Sequence, residues 1–106
     1  MFFELRKYQV HPGKMDEWVS YMEEEIIPYQ RSKGMVIFGS FVCPEEENSF
    51  IWIRRFEDEE DKKALYAAVY QNDTWEKGFL PKVKELIDRD KIQVTIIEPT
   101  SRSIMR

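Results

Sequence analysis

The sequence predicts an α+β fold of the ferredoxin-like type, β-α-β-β-α-β, with a four-stranded antiparallel sheet and its helices on one face. Three observations point there. Residues 2–10, 35–43, 49–56 and 91–98 are short, rich in bulky apolar side chains and bounded by turn residues, as strands are. The stretches between the first and second strands, and between the third and fourth, carry apolar residues at helical spacing. The middle two strands are separated only by the turn-rich "PEEENS", which makes them a hairpin. In this order the first and third strands are expected side by side and parallel at the sheet's centre, and right-handed crossovers put both helices on one face.

Each element follows from local chemistry. In Phe2 to Val10, Phe3 and Leu5 share one face while Glu4, Arg6 and Tyr8 share the other. "HPG" at 11–13 is a turn, because proline fixes φ and glycine permits unusual angles. A helix is predicted from about Lys14 to Lys33, with Met15, Trp18, Val19, Met22 and Ile26 as its apolar stripe. Pro28 lacks an amide hydrogen and should kink or interrupt it, and Gly34 should stop it. "MVIFGSFVC" is a strand with Met35, Ile37 and Phe41 on one side and Val36, Phe38 and Val42 on the other; Gly39 suggests a bulge. "SFIWIRRF", 49–56, is the third strand, placing Trp52 with Arg54 and Ile53 with Arg55. Asp58 should cap the next helix, with Ala64, Leu65, Ala68 and Val69 as its buried face and "QND" as its end. Asp73 and Glu76 resemble a capping box for a further helix built on Trp75, Phe79, Leu80, Val83 and Leu86 or Ile87, with Pro81 as a kink. "KIQVTIIE" is the last strand, and residues 99–106 are a short polar tail.

The second and last strands are apolar on both sides, yet helices can cover only one face of the sheet. The simplest cover for the other face is a second copy of the same sheet. A homodimer with sheets packed face to face, an isologous C2 arrangement, is therefore expected.

At 106 residues the chain is a single domain. Its net charge of −4, with acidic runs at 23–25, 45–47 and 57–61, speaks against nucleic acid and anionic membrane surfaces as partners. No apolar run reaches the ~20 residues of a membrane span, and "MFFELRKYQV" lacks the pattern of a signal peptide. Cys43 is the only cysteine, so no intrachain disulfide forms and a reducing, cytoplasmic setting is expected. One histidine, no CxxC cluster, no P-loop and no GxGxxG leave no metal site and no cofactor to predict.

Two groups bear on chemistry. His11 is a candidate general base because its intrinsic pKa is near neutrality; the plainer reading is a turn residue beside Pro12. The other group is a constellation. Glu4, Arg6 and Tyr8 share a face of the first strand, and Trp52 and Arg54 share a face of the third. If those strands are neighbours the two sets converge. Tyr29, Tyr66, Tyr70 or Trp75 from the helices would complete an aromatic pocket with one or two guanidinium groups. Aromatics supply burial and arginine a fork for a carboxylate, so a small planar or acidic ligand suits it. The alternative is that Glu4 simply pairs with Arg6 or Arg54 inside a dimer interface.

"FFELRKYQVHPGKMDEW", "EEIIPYQ", "GSF", "SFIWIRRFEDEEDKKALYAAVYQNDTW" and "IIEPT", in that order, resemble the NIPSNAP family over nearly the whole chain. The resemblance implies a dimeric α+β barrel, the fold also used by small cofactor-free monooxygenases, heme-degrading enzymes and muconolactone isomerases. Those relatives hold ligands in a cleft between sheet and helices. The family has no settled molecular activity. Arg6 and Tyr8 in "ELRKY", Trp52 and Arg54 in "FIWIRRF" and Trp75 in "NDTW" match its pattern; His11, in a turn, is misplaced for a heme ligand. Two functions are thus expected. The first is a homodimer binding a small aromatic or acidic metabolite, with Arg6 or Arg54 on an anionic group, Tyr8 and Trp52 shaping the pocket, Tyr66 and Trp75 as further ligand-binding candidates, and Tyr8 as proton donor in an oxygenase- or isomerase-type reaction. The second is a non-enzymatic interaction module in which the barrel serves only to dimerise.

Overall fold

The structure is a computed structural model that describes all 106 residues. Its order is β1 (Phe2–Val10), α1 (Met15–Tyr21), a π-helical segment (Met22–Ile26), α2 (Ile27–Ser32), β2 (Val36–Val42) and β3 (Ser49–Phe56), followed by α3 (Glu59–Tyr70), a second π-helical segment (Thr74–Phe79), α4 (Leu80–Leu86) and β4 (Ile87–Ile97). The sheet order is β2-β3-β1-β4, and every neighbouring pair is antiparallel. β1 and β3 are central neighbours as expected, but they run antiparallel, not parallel. The hairpin explains this: the helical crossover returns β2 in the direction of β1, and the β2–β3 turn then reverses the chain.

The two prolines do not break their helices. Pro28 and Pro81 each sit in the first turn of an α-helix that follows directly on a π-helical segment. The first turn tolerates a missing N–H, and the wider turn upstream admits the ring. Gly34, at φ 97°, closes α2 with Met35 N bonded to Gln30 O at 3.0 Å, a Schellman stop. Asp58 caps α3 as expected, accepting from Asp61 N at 2.7 Å. The Asp73–Glu76 box does not form; Asn72 Oδ1 takes the Trp75 N–H instead, at 3.0 Å. The inward stripe of α3 also differs from expectation. Ala64 and Ala68 are exposed, and Tyr66, Val69 and Tyr70 turn inward because the two phenols reach polar partners under the helix.

One core lies between sheet and helices, built on Trp18, Met22, Ile26, Phe50, Trp52, Phe56, Val69 and Leu86. Directly opposed residues of an antiparallel pair share a face, so Phe2, Glu4, Arg6 and Tyr8 look inward with Phe56, Arg54, Trp52 and Phe50. The outer face carries Phe3, Leu5, Val36, Phe38, Ile51 and Ile53. A bulge at Phe38–Gly39 changes the expected division of β2: beyond it Phe41 joins the outer face and Val42 the inner one. The Phe41 ring lies back over Gly39, where a Cβ would meet it at 2.7 Å, so a larger residue there would push the exposed ring aside. Val36, Phe38 and Phe41 are exposed.

A second irregularity matters more for the site. The β1–β4 ladder passes from Lys7↔Gln93 directly to Gln9↔Asp88. Tyr8 therefore faces an arch of β4, residues 89–92, rather than a single partner. Arg89 and Ile92 on that arch border the cavity described next.

Candidate ligand-binding site

Glu4 and Arg54 are directly opposed on the two central strands, and neither has measurable exposure. Arg54 Nη2 and Nε both donate to Glu4 Oε1, at 2.7 and 3.2 Å. Its remaining N–H groups reach Tyr66 Oη at 2.9 Å, Gln30 Oε1 at 3.0 Å and Tyr70 Oη at 2.6 Å. A guanidinium has five N–H donors, and all are engaged. The group also lies 4.8 Å from the Trp52 ring centroid. Glu4 in turn accepts from Tyr66 Oη and meets Lys62 Nζ at 3.3 Å and Arg6 Nη1 at 3.4 Å. Burial alone would raise the Glu4 pKa, but the Arg54 charge and the Tyr66 and Arg54 hydrogen bonds prevail and bring it down to about 2. Burial and the hydrogen bond to Glu4 push the Tyr66 phenol well up, against the pull of Arg54.

Beside this sealed cluster is a cavity of about 250 Å³ between the sheet and the helices. Trp52, Tyr66, Tyr70, Trp75 and Trp18 supply aromatic walls; Met22, Ile26 and Val83 supply aliphatic ones. Arg6 and Tyr8 rise into it from β1. Arg6 Nε donates to Tyr8 Oη at 3.0 Å, and its Nη1 reaches Glu4 and Tyr66 at 3.4 and 3.3 Å. Its Nη2 has no acceptor within the protein. The Tyr8 hydroxyl accepts from Arg6 and donates to no protein group. Burial pushes the Tyr8 phenol up, with Arg6 opposing, so Tyr8 stays a neutral donor at pH 7.

The structure therefore brings Arg6, Tyr8, Trp52, Tyr66 and Trp75 together around one cavity. Arg54 belongs to the same cluster but lies behind the wall, with no donor left for a ligand. Glu4 does pair with Arg54, yet on the helix-covered face and not on the outer one. Arg55 points outward, half-buried, and pairs with Glu57. His11 stays in its turn, its backbone N–H bonded to Leu86 O at 2.8 Å, and does not border the cavity. Leu65 packs near Gly34 and does not border the cavity. Tyr29 also remains outside, its hydroxyl bonded to Val69 O at 2.6 Å. Sequence reasoning passed over Gln30 and Arg89. Gln30 had a visible signal, since it is the polar residue that continues the Met22–Ile26 stripe by one more turn. Arg89 had none, because nothing in "DRDK" announces an arch. No helix is long and apolar enough to cross a membrane.

The family model for NIPSNAP matches residues 3–103. No curated protein matches the chain. Among solved structures, a NIPSNAP family protein with unknown function from Agrobacterium tumefaciens is 26% identical, with 100% of this chain and 94% of that one covered and a TM-score of 0.89. A second NIPSNAP family protein from that organism is 24% identical, with coverage of 99% and 98% and a TM-score of 0.88. An antibiotic biosynthesis monooxygenase shares the fold at 15% identity, with coverage of 94% and 99% and a TM-score of 0.68.

Proposed function

The chain belongs to the NIPSNAP family, and on the cavity's geometry we propose that it binds a small aromatic, anionic metabolite between sheet and helices, as a homodimer. What carries this is Arg6, a half-buried guanidinium on an aromatic-walled cavity with a free Nη2 and only a shared carboxylate, Glu4 at 3.4 Å. Glu4 is committed to Arg54, so a ligand anion is the missing counter-charge. Aromatic walls at several angles favour a flat ligand by burial and edge contacts. That Tyr66 and Trp75 flank the cavity without filling it supports binding over a purely structural barrel. An oxygenase- or isomerase-type reaction on the ligand would use the same space, with Tyr8 as proton donor; the shared fold with a monooxygenase is its support.

The outer face supports the homodimer. Val36, Phe38 and Phe41 lie exposed beside half-buried Leu5, Ile51 and Ile53 on a face without helices, and a second copy would bury at roughly 25 cal/mol per Å² of apolar surface.

The test is a thermal-shift screen of small acids and aromatics on wild type and Arg6→Met. A ligand at 100 times its dissociation constant adds about 2.7 kcal/mol, and Arg6→Met should lose most of that. A screen in which nothing shifts wild type, or both proteins shift alike, removes the binding site. A monomer by light scattering at micromolar concentration removes the dimer.

A further inference from the structure

Granted the binding proposed above, we propose that the cavity holds its ligand through a single oxygen taken as an anion, so that the ligand class is a planar phenolate or enolate rather than a carboxylate. A carboxylate is held most strongly by two parallel N–H donors from one edge of a guanidinium. Neither edge of Arg6 that includes Nη2 is free for this: Nε is engaged with Tyr8 and Nη1 with Glu4 and Tyr66. One nitrogen, Nη2, remains, and it suits one oxygen.

The other free groups at the wall are donors as well. Tyr8 Oη accepts from Arg6 and donates to nothing, and Tyr70 Oη accepts from Arg54 and Gln30 and donates to nothing. The side-chain acceptors are almost all occupied. Gln30 Oε1 takes Arg54, Tyr66 Oη takes both arginines, and Tyr70 Oη holds two donors already. A neutral phenol would find only the second lone pair of Tyr8 for its proton, whereas an oxyanion would meet Arg6 Nη2 and two phenol hydrogens. That is the donor set of an oxyanion hole.

The charges around the cavity favour the anion. β1 brings Arg6 and the committed Glu4, β3 brings Arg54, and α3 brings Lys62 beside the phenols of Tyr66 and Tyr70. α1 and the π-helical segment after it contribute only Trp18, Met22 and Ile26, α2 only Gln30 and α4 only Val83. The β4 arch adds Arg89 at the wall, with Asp88 and Asp90 as its neighbours in sequence. No ionised carboxylate borders the cavity to accept the ligand's proton, which must therefore leave to solvent: phenol plus protein gives bound phenolate plus a proton taken by buffer.

The probe is 4-nitrophenol, whose anion is read directly by absorbance, titrated against pH with wild type, Arg6→Met, Tyr8→Phe and Tyr70→Phe. The bound probe's apparent pKa should fall by about one unit or more, so that the anion binds at least about tenfold tighter than the phenol. Arg6→Met should abolish the fall, and each Tyr→Phe change should lessen it several-fold. Wild type alone decides if a variant fails to fold. A bound probe that titrates at or above its free pKa overturns the single-oxyanion assignment, as does 4-nitrobenzoate binding as tightly as the phenolate. Failure of 4-nitrophenol to bind while other acids bind overturns the assignment alone; failure of every acid and aromatic removes the binding site with it.

Discussion

Replacing Arg54 by methionine tests what the centre of this fold rests on. The side chain lies fully buried, opposed to Glu4, with N–H groups also on Gln30, Tyr66 and Tyr70. Methionine fills much of the volume but leaves the Glu4 carboxylate without its main partner and Gln30 Oε1 without a donor. Removing one member of a buried ion pair costs about 3–5 kcal/mol. Lys62 and Arg6, at 3.3 and 3.4 Å from Glu4, remain and draw the effect toward the lower end. The lost stacking on Trp52, at 4.8 Å, adds about 1 kcal/mol. A loss near 4 kcal/mol is a large part of the roughly 5–15 kcal/mol of a domain this size. It should lower the thermal midpoint by at least about 12 °C. Urea unfolding followed by tryptophan fluorescence reads it, since Trp18 and Trp52 are buried in the same core. Pairing the change with Glu4→Met should recover most of the loss, because the carboxylate buried without Arg54 is then gone. A single variant that loses under about 1 kcal/mol, or a double variant no better than the single, would refute the reasoning.

Three further outcomes follow from the same structure. Glu4 has its pKa lowered from 4.5 to about 2, so the unfolded chain takes up its proton first as pH falls. The stability this supplies, about 3 kcal/mol, is full above pH 4.5 and lost on acidification toward pH 2; urea midpoints across that range should fall in wild type and flatten in Glu4→Gln. Asn72→Ala should cost about 1–2 kcal/mol, because its side chain serves Trp75 N and Ala68 O at once; hydrogen exchange should speed up around Trp75, and unchanged exchange would argue against the cap. For the proposed homodimer, Ile53→Asp, on the outer face opposite Leu5, should give a monomer by sedimentation with its near-ultraviolet spectrum kept, and a persisting dimer would place the interface elsewhere.

The elements were legible because their signals are local. "SFIWIRRF" reads as a strand by composition and is one from Ser49 to Phe56, and Asp58 caps a helix because its oxygen is where the Asp61 N–H needs it. Convergence of the Glu4–Arg6–Tyr8 face on the Trp52–Arg54 face was also legible, since period two fixes faces once two strands are neighbours. Strand direction was misjudged because it depends on how the chain returns through a helix and a hairpin together, not on any residue. The side of Phe41 was misjudged because one extra residue at Gly39 inverts everything after it. Which arginine is free was beyond reach of pattern. Arg6 and Arg54 share a face and a chemistry, and only the count of neighbours such as Gln30 and Tyr70 separates a saturated guanidinium from an available one.

The opposition of Glu4 and Arg54 has a consequence for how the two central strands find each other. Apart from Arg6 against Trp52, their other contacts on the inward face are aromatic or apolar, and such surfaces tolerate sliding. A slip by two residues is the smallest that keeps every side chain on its own face. In one direction it sets Arg54 against Arg6, two like charges in the core; in the other it sets Arg54 against Phe2 and Glu4 against Trp52. Both alternatives part Glu4 from Arg54 in the interior, and only the observed pairing joins them. The ion pair acts as a key cut for one alignment, raising the energy of misaligned sheets more than it lowers that of the correct one.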